Sequence, residues 1–410
     1  MKNKFFLISL ALFFLLIMRA YLLNLYAYAI SCDGYIVGEW LINFKAGFVR
    51  RGLSGSMLLS LADWLSLKPN LTVMGFQLIF FIGYMLLLFI LLSRKQPGLF
   101  FTLMLLSPAT LLFSLLDPLA VGRKEIILFF VFAIYIICLD KNLMRSNAMV
   151  ILLCLLLVIA TLFHELVFFY LPYFLFAAYV KAKSDGTSFN FAKPLILISG
   201  ALLVMIPLYI SGMVINSSAI CNNLMEKGLP ESICDGPLKY KPQDYDIQYT
   251  IAHVLRYHYI SFYLPVLGLA LVPFFLFIRF YLQTAVSVKQ FLVAFLLLFI
   301  FSIPLFLAGK DWGRWINIHL MMLLFTCTLL LKDRRSGDPY AEDVHALRIW
   351  KSESASAALF NRGIITALCI AYILLWSMPH WRGGAGYASN YSMFDNSVWG
   401  HITKDFKLSP

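Results

Sequence analysis

The chain reads as an all-α, polytopic membrane protein, one integral membrane domain over residues 1–410. Three observations lead there. First, 61% of the residues are hydrophobic and only 13% charged, at a mean hydropathy of +0.81. A soluble globule of this length has too little interior to hide that much apolar surface. Second, apolar runs near the roughly 20-residue length that crosses a bilayer recur from one end of the chain to the other. Third, the polar segments between them alternate in basic content, as the positive-inside rule asks. That pattern accounts for the net charge of +12 through inter-span loops, with no nucleic-acid partner.

The runs lie near 5–28, 71–92, 98–116, 126–139, 149–163, 166–180, 194–215, 259–280, 291–308, 316–331 and 363–378, about eleven in all. The first starts after Lys2 and Lys4 and ends at Ala27-Tyr28-Ala29, a pattern shared with secretory signals. Its continuation through Arg19 favours an uncleaved span, with Arg19 snorkelling outward or lining a cavity. The runs at 149–163 and 166–180 are parted only by His164 and Glu165. Counting them separately places Arg94 and Lys95, Lys141 and Arg145, Lys181, Lys183 and Lys193, Arg279 and Lys289, and the basic 332–362 loop on one side. Merging them would put 181–193 and 332–362 outside, against the rule. The expectation is therefore about eleven transmembrane helices, a cytoplasmic N-terminus and an extracytoplasmic tail at 379–410.

The segments left outside carry most of the unusual charge. They are the first external loop at 30–70, expected to form interfacial helices, the turns 116–125 and 309–315, the 216–258 loop and the tail. The 332–362 loop is a cytoplasmic connector. Cys221 and Cys234 stand in the polar 216–258 loop and would form a disulfide in an oxidising compartment; the cysteines within apolar runs read as small hydrophobes. Asn70, Asn216 and Asn390 begin N-x-S/T sequons. No CxxC pair or HExxH pattern points to a metal.

Chemistry is expected in those outer segments. Asp33 and Glu39 can act as general bases on a hydroxyl if partly wet, with Asp33 the first choice. Arg50 and Arg51 can grip phosphate oxygens bidentately, and they sit on the side where the orientation rule disfavours positive charge. Asp117 opens a turn before Arg123 and Lys124, whose charge opposes the macrodipole of the helix that follows and so calls for a ligand or an ion pair. Lys310, Asp311 and Arg314 repeat this mixture in a turn that also holds Trp312 and Trp315. His164 and Glu165 lie at membrane depth or just outside it, where ionisable groups are costly.

The acids after the first span, Asp33 and Glu39, together with Asp117 and Arg123–Glu125 after the third, make the chain resemble membrane glycosyltransferases of the GT-C type and bacterial O-antigen-type polysaccharide polymerases. No diagnostic signature accompanies that topology. The resemblance implies transfer of a sugar from a polyprenyl-phosphate or polyprenyl-diphosphate donor to a glycan or lipid-linked acceptor at the outer face of the inner membrane. By it, Asp33, Glu39 and Asp117 would be catalytic. By the same resemblance Arg50, Arg51, Arg123 and Arg314 would hold the donor phosphate, while Lys124, His164, Glu165, Lys310 and Asp311 are expected substrate-binding residues from their own place in the outer turns. A divalent cation is compatible with the chemistry, but no ligand spacing demands one. A transporter or flippase of lipid-linked saccharide is the rival reading.

Overall fold

In the computed structural model the described residues are 2–210, 217–239, 247–281, 287–333, 355–383 and 397–398. Most of the 332–362 connector and of the 379–410 tail, and two stretches of the 216–258 loop, lie outside them. The described residues form helices, with no named strand and one isolated bridge between Lys95 and Asp333.

Six helical stretches are long and apolar enough to cross a membrane: Phe6–Ser31, Pro69–Arg94, Glu165–Ser184, Ala192–Ile210, Tyr259–Phe280 and Val288–Ala308. They fall in α1 (Lys2–Ser31), α3 (Pro69–Arg94), a 3₁₀ segment (Glu165–Tyr170) running into α8 (Pro172–Ser184), α9 (Ala192–Ile210), α12 (Tyr259–Tyr281) and α13 (Val288–Ala308). Further helices accompany them: α6 (Glu125–Asp140) and α7 (Asn147–Phe163) between the second and third stretches, and α14 (Trp312–Thr328) and α15 (Ala355–Leu374) after the sixth. Apolar faces stay open on the outer helices, as at Leu203 (65% exposed) and Leu297 (63%). The protein interior lies elsewhere.

That interior is built around α14 and α6. Every residue of α14 from Gly313 to Thr328 is buried, its polar side chains included: His319, for one, bonds the hydroxyls of Tyr173 and Ser302, both at 2.7 Å. It packs on α6, which packs on α3, and α3 on α1. Arg19, in α1, is exposed.

One expected span has a different form. The run at 98–116 is not a continuous helix but α4 (Leu99–Leu105), an irregular stretch and the single turn α5 (Phe113–Leu116). Pro108 is the cause, since it has no N–H to donate and pushes Ser107 out of helical geometry. Backbone groups freed inside a membrane must find partners within the protein. Thr110 Oγ1 donates to the Met104 carbonyl at 2.6 Å, and Asn317 Nδ2 of α14 donates to the Ala109 and Thr110 carbonyls at 3.0 and 3.1 Å.

Polar groups gather at two ends of the bundle. At one, Lys95 pairs with Asp140 and Asp333 at 2.7 and 3.0 Å, and Lys193 donates to the carbonyls of Met144 and Arg145. The other end carries the first loop, with 3₁₀ turns at Gly38–Leu41 and Phe44–Ala46 and then α2 (Gly52–Leu65). Over it lies α10 (Ser217–Glu226), joined by the Cys221–Cys234 disulfide to the segment that follows. Asn70 is buried there and donates to the Ala29 carbonyl at 2.9 Å, so its sequon is not an open acceptor.

Candidate functional site

The first loop is closed on itself before it meets the rest of the chain. Asp33 Oδ1 accepts from the backbone N–H groups of Tyr35 and Ile36 at 2.9 and 2.8 Å, an Asx-type turn. Its main-chain carbonyl accepts from Val37 and Gly38. The indole of Trp40 then donates to the Gly122 carbonyl at 2.7 Å. These bonds turn Glu39 inward, where it is 1% exposed.

A second device brings Arg51 to meet it. Arg51 is the residue before α2 and holds a left-handed backbone, φ +64°, a conformation that costs a non-glycine residue about 1–2 kcal/mol. Its guanidinium bridges two acids distant in sequence. Nη1 donates to Glu39 Oε1 at 2.8 Å, while Nε and Nη2 reach Glu165 Oε1 at 3.1 and 2.7 Å. Arg50, about one-third exposed, stands 4.0 Å from the same Glu165 oxygen.

Arg123 continues the network on the other side of Glu39. Its Nη2 lies 3.3 Å from Glu39 Oε2 and 3.9 Å from Asp311 Oδ2. Asp311 accepts from Arg314 Nη1 at 2.5 Å, and Arg314 binds Glu125 through Nε and Nη2. The outcome is a continuous, largely buried chain of ions from α2 to α14. At effective dielectric near 20, a pair 3–4 Å apart gains about 4–5 kcal/mol, comparable with the several kcal/mol lost on burying each ion. A carboxylate with several cationic neighbours therefore stays charged.

Glu39 is that case. Burial pushes its carboxyl up, but Arg123, Arg51, His164 and Lys124 together hold it well below the usual range. Asp311 is held low against its own burial by Arg314 and Arg123. Two polar atoms in the network nonetheless have no hydrogen-bond partner: Glu39 Oε2, whose 3.3 Å approach to Arg123 lacks hydrogen-bond geometry, and Arg123 Nε.

Lys124 and His164 complete the wall behind Glu39. The Lys124 ammonium donates to Ser54 Oγ at 2.8 Å and to the Phe163 carbonyl at 3.2 Å, beside the Trp40 ring. Burial, with the charges of Arg51 and Arg123 added, pushes it down to about 7 against the pull of Glu39 and Glu165. His164 Nδ1 accepts from the Leu166 N–H, which leaves Nε2 facing Glu39 Oε1 at 3.7 Å. Burial and Arg51 lower its basicity against the pull of Glu165 and Glu39.

Of the residues expected from sequence, Glu39, Arg50, Arg51, Arg123, Lys124, His164, Glu165, Asp311 and Arg314 thus converge. Three are placed differently. Asp33 caps its own turn and makes no ion pair in the network. Asp117 Oδ2 accepts from both the backbone N–H and Nδ1 of His380, at 2.6 and 2.7 Å. This pair docks the 375–382 segment, whose His380 carbonyl accepts from the Gly313 N–H. Lys310 turns away to the Tyr249 ring, 4.2 Å from its centroid.

Glu125, Ser54 and His380 were not singled out from sequence as site residues. Glu125 had a signal, being the acid beside Arg123 and Lys124, but its fit to a helix N-terminus gave it a sufficient local role. Beneath the network a cavity of about 30 Å³ is lined by Glu125, Asn317, Thr110, Ser114, Tyr21 and Tyr84 among others. That is room for one or two waters. Among the described residues no group of three His, Cys, Asp or Glu side chains could hold a metal ion. No protein-family model, curated protein or solved structure matches this chain.

Proposed function

We propose that the chain is a membrane glycosyltransferase or polysaccharide polymerase. It takes a sugar from a polyprenyl-phosphate or polyprenyl-diphosphate donor at the outer face of the inner membrane. The observation that carries this reading is Glu39: a carboxylate kept ionised by surrounding guanidinium groups, with one oxygen that has no donor. An acceptor hydroxyl supplies that donor and the carboxylate takes its proton. As the hydroxyl oxygen bonds to the anomeric carbon, the bond from that carbon to the phosphate oxygen breaks and its electron pair leaves with the phosphate. Arg123, whose Nε has no acceptor, and the part-exposed Arg50 and Arg51 are suited to stabilise that charge. Glu39 takes the role first expected of Asp33, because Asp33 already serves its own backbone.

The sidedness rests on two further observations. The Cys221–Cys234 bond suits an oxidising compartment, and its segment touches the first loop. A Cβ on Gly38 would stand 2.2 Å from the Ile233 carbonyl oxygen. The basic 94–95, 140–145 and 193 segments gather at the opposite end, as a cytoplasmic face requires. On this reading α1, α3, the broken α4–α5 unit, α6, α7, the 165–184 unit, α9, α12, α13, α14 and α15 make eleven crossings from a cytoplasmic N-terminus.

Cells carrying Glu39→Gln and, separately, Asp33→Asn test the reading, with membrane protein levels measured on the same samples. The expected result for Glu39→Gln is loss of about 10²-fold or more in long glycan, the size of a general-base contribution. Lipid-linked units would then accumulate on the outer face. Asp33→Asn keeps a side-chain carbonyl for its turn and keeps the product. Accumulation on the inner face would mark a flippase instead, and unchanged glycan in Glu39→Gln would remove the catalytic assignment.

A further inference from the structure

The helix α11 (Ile247–Arg256) precedes α12 in the polar 216–258 loop. Its surface divides into three sectors. Thr250 and Val254 face the protein at 1% and 8% exposure, and His253 Nε2 bonds to the Arg382 carbonyl at 2.8 Å. Gln248, Ala252 and Arg256 are exposed on a second flank. The third sector is apolar and open: Ile247, Ile251 and Leu255, four residues apart, are 55%, 41% and 63% exposed.

Spacing of four puts these three side chains in one stripe along the helix. A water-facing helix has no reason to keep such a stripe. Three residues after Arg256 the chain enters α12, turning at His258 with φ +53°. Ile260 and Leu264, near the start of that membrane-length helix, are open at 56% and 64%. The stripe thus continues a lipid-facing surface. α11 also packs against α13, whose Ile303 and Leu307 near its C-terminal end are likewise open.

We propose that α11 lies in the bilayer interface, with Ile247, Ile251 and Leu255 in the acyl boundary and Arg256 among the headgroups. Interfacial helices pair an apolar stripe with a polar, basic flank in this way. Because Lys310 rests on Tyr249 of this helix and Asp311 follows it, the ion network stands at headgroup depth. This gives the proposed lipid-linked substrate its approach: the phosphate of a polyprenyl donor lies at that depth while its chain stays in the membrane. The depth assignment rests on the functional reading above; the placement of the helix does not.

The test uses the full chain reconstituted in phosphatidylethanolamine–phosphatidylglycerol vesicles, carrying a nitroxide at Ile251→Cys or Leu255→Cys, or at Gln248→Cys or Ala252→Cys. Background from native cysteines is measured on the parent chain. Power saturation compares collisions with oxygen, which concentrates in lipid, and with a water-soluble nickel chelate. Oxygen should exceed the chelate several-fold at 251 and 255, and the order should reverse at 248 and 252. Equal access of the chelate at all four positions overturns the proposal. So does shielding of 251 and 255 from both reagents, which would indicate cover by protein, such as a second copy of the chain. No activity enters the readout, so failure here leaves the glycosyl-transfer reading to its own test.

Discussion

Arg314 grips Glu125 with two N–H···O bonds of 2.9 Å, although 189 residues separate them. Glu125 begins α6, where negative charge suits the helix dipole; Arg314 sits in the first turn of α14, where positive charge does not. The acid therefore supports two helix ends at once. Both side chains are almost fully buried, at 3% and 6% exposure.

Removing one partner should be far worse than removing both. Arg314→Ala leaves a buried carboxylate without its main counter-ion, a change that typically costs about 3–5 kcal/mol. The expected result is a large fall in thermal unfolding temperature in detergent. The double variant Arg314→Met with Glu125→Leu should recover most of that loss. A double variant as unstable as the single one would show that the pair is not the reason.

Stability should depend on pH in two separate windows. Lys124 titrates near 7 when folded, against 10.5 for an ordinary lysine. Between those values the unfolded chain binds the extra proton, so stability rises with pH across the window; below about 7 the full penalty of burying the charge is present. Glu39 and Asp311 are displaced downward as well, which for an acid favours the charged form: they contribute stability above the ordinary carboxyl range and lose it as pH falls through their lowered values. Unfolding temperatures at pH 6.5, 8 and 9.5 should show the rise in the wild-type chain and a flatter profile in Lys124→Met. Parallel profiles would rule out Lys124 as its source.

The disulfide segment should matter to the network through contact with the first loop. A Cβ at Gly38 would press on the Ile233 carbonyl and shift the turn that holds Glu39. On the proposed glycosyl-transfer reading, Gly38→Ala reduces glycan output in cells even where membrane levels are normal. Cys221→Ser with Cys234→Ser should lower thermal stability by about 3 kcal/mol, the typical effect of closing a loop of this length. Full output from Gly38→Ala would mean that the contact yields without moving Glu39.

Composition and run length were enough to establish an apolar helical protein, because bilayer thickness imposes a span length that can be read without knowing any contact. Local charge was also enough to mark nine of the residues that converge. Pairing was not legible. Asp33 and Glu39 are both first-loop acids, and only their hydrogen bonds distinguish a turn cap from an ionised base candidate. Asp117 and His380, or Glu125 and Arg314, find each other through helix packing between distant parts of the chain. The break at Pro108 had a sequence signal, but its carbonyl partner Asn317 did not. Side-chain type and spacing report what a residue can do in its own segment; burial and counter-charge, which decide what it does, are supplied by neighbours that only the tertiary fold brings within reach.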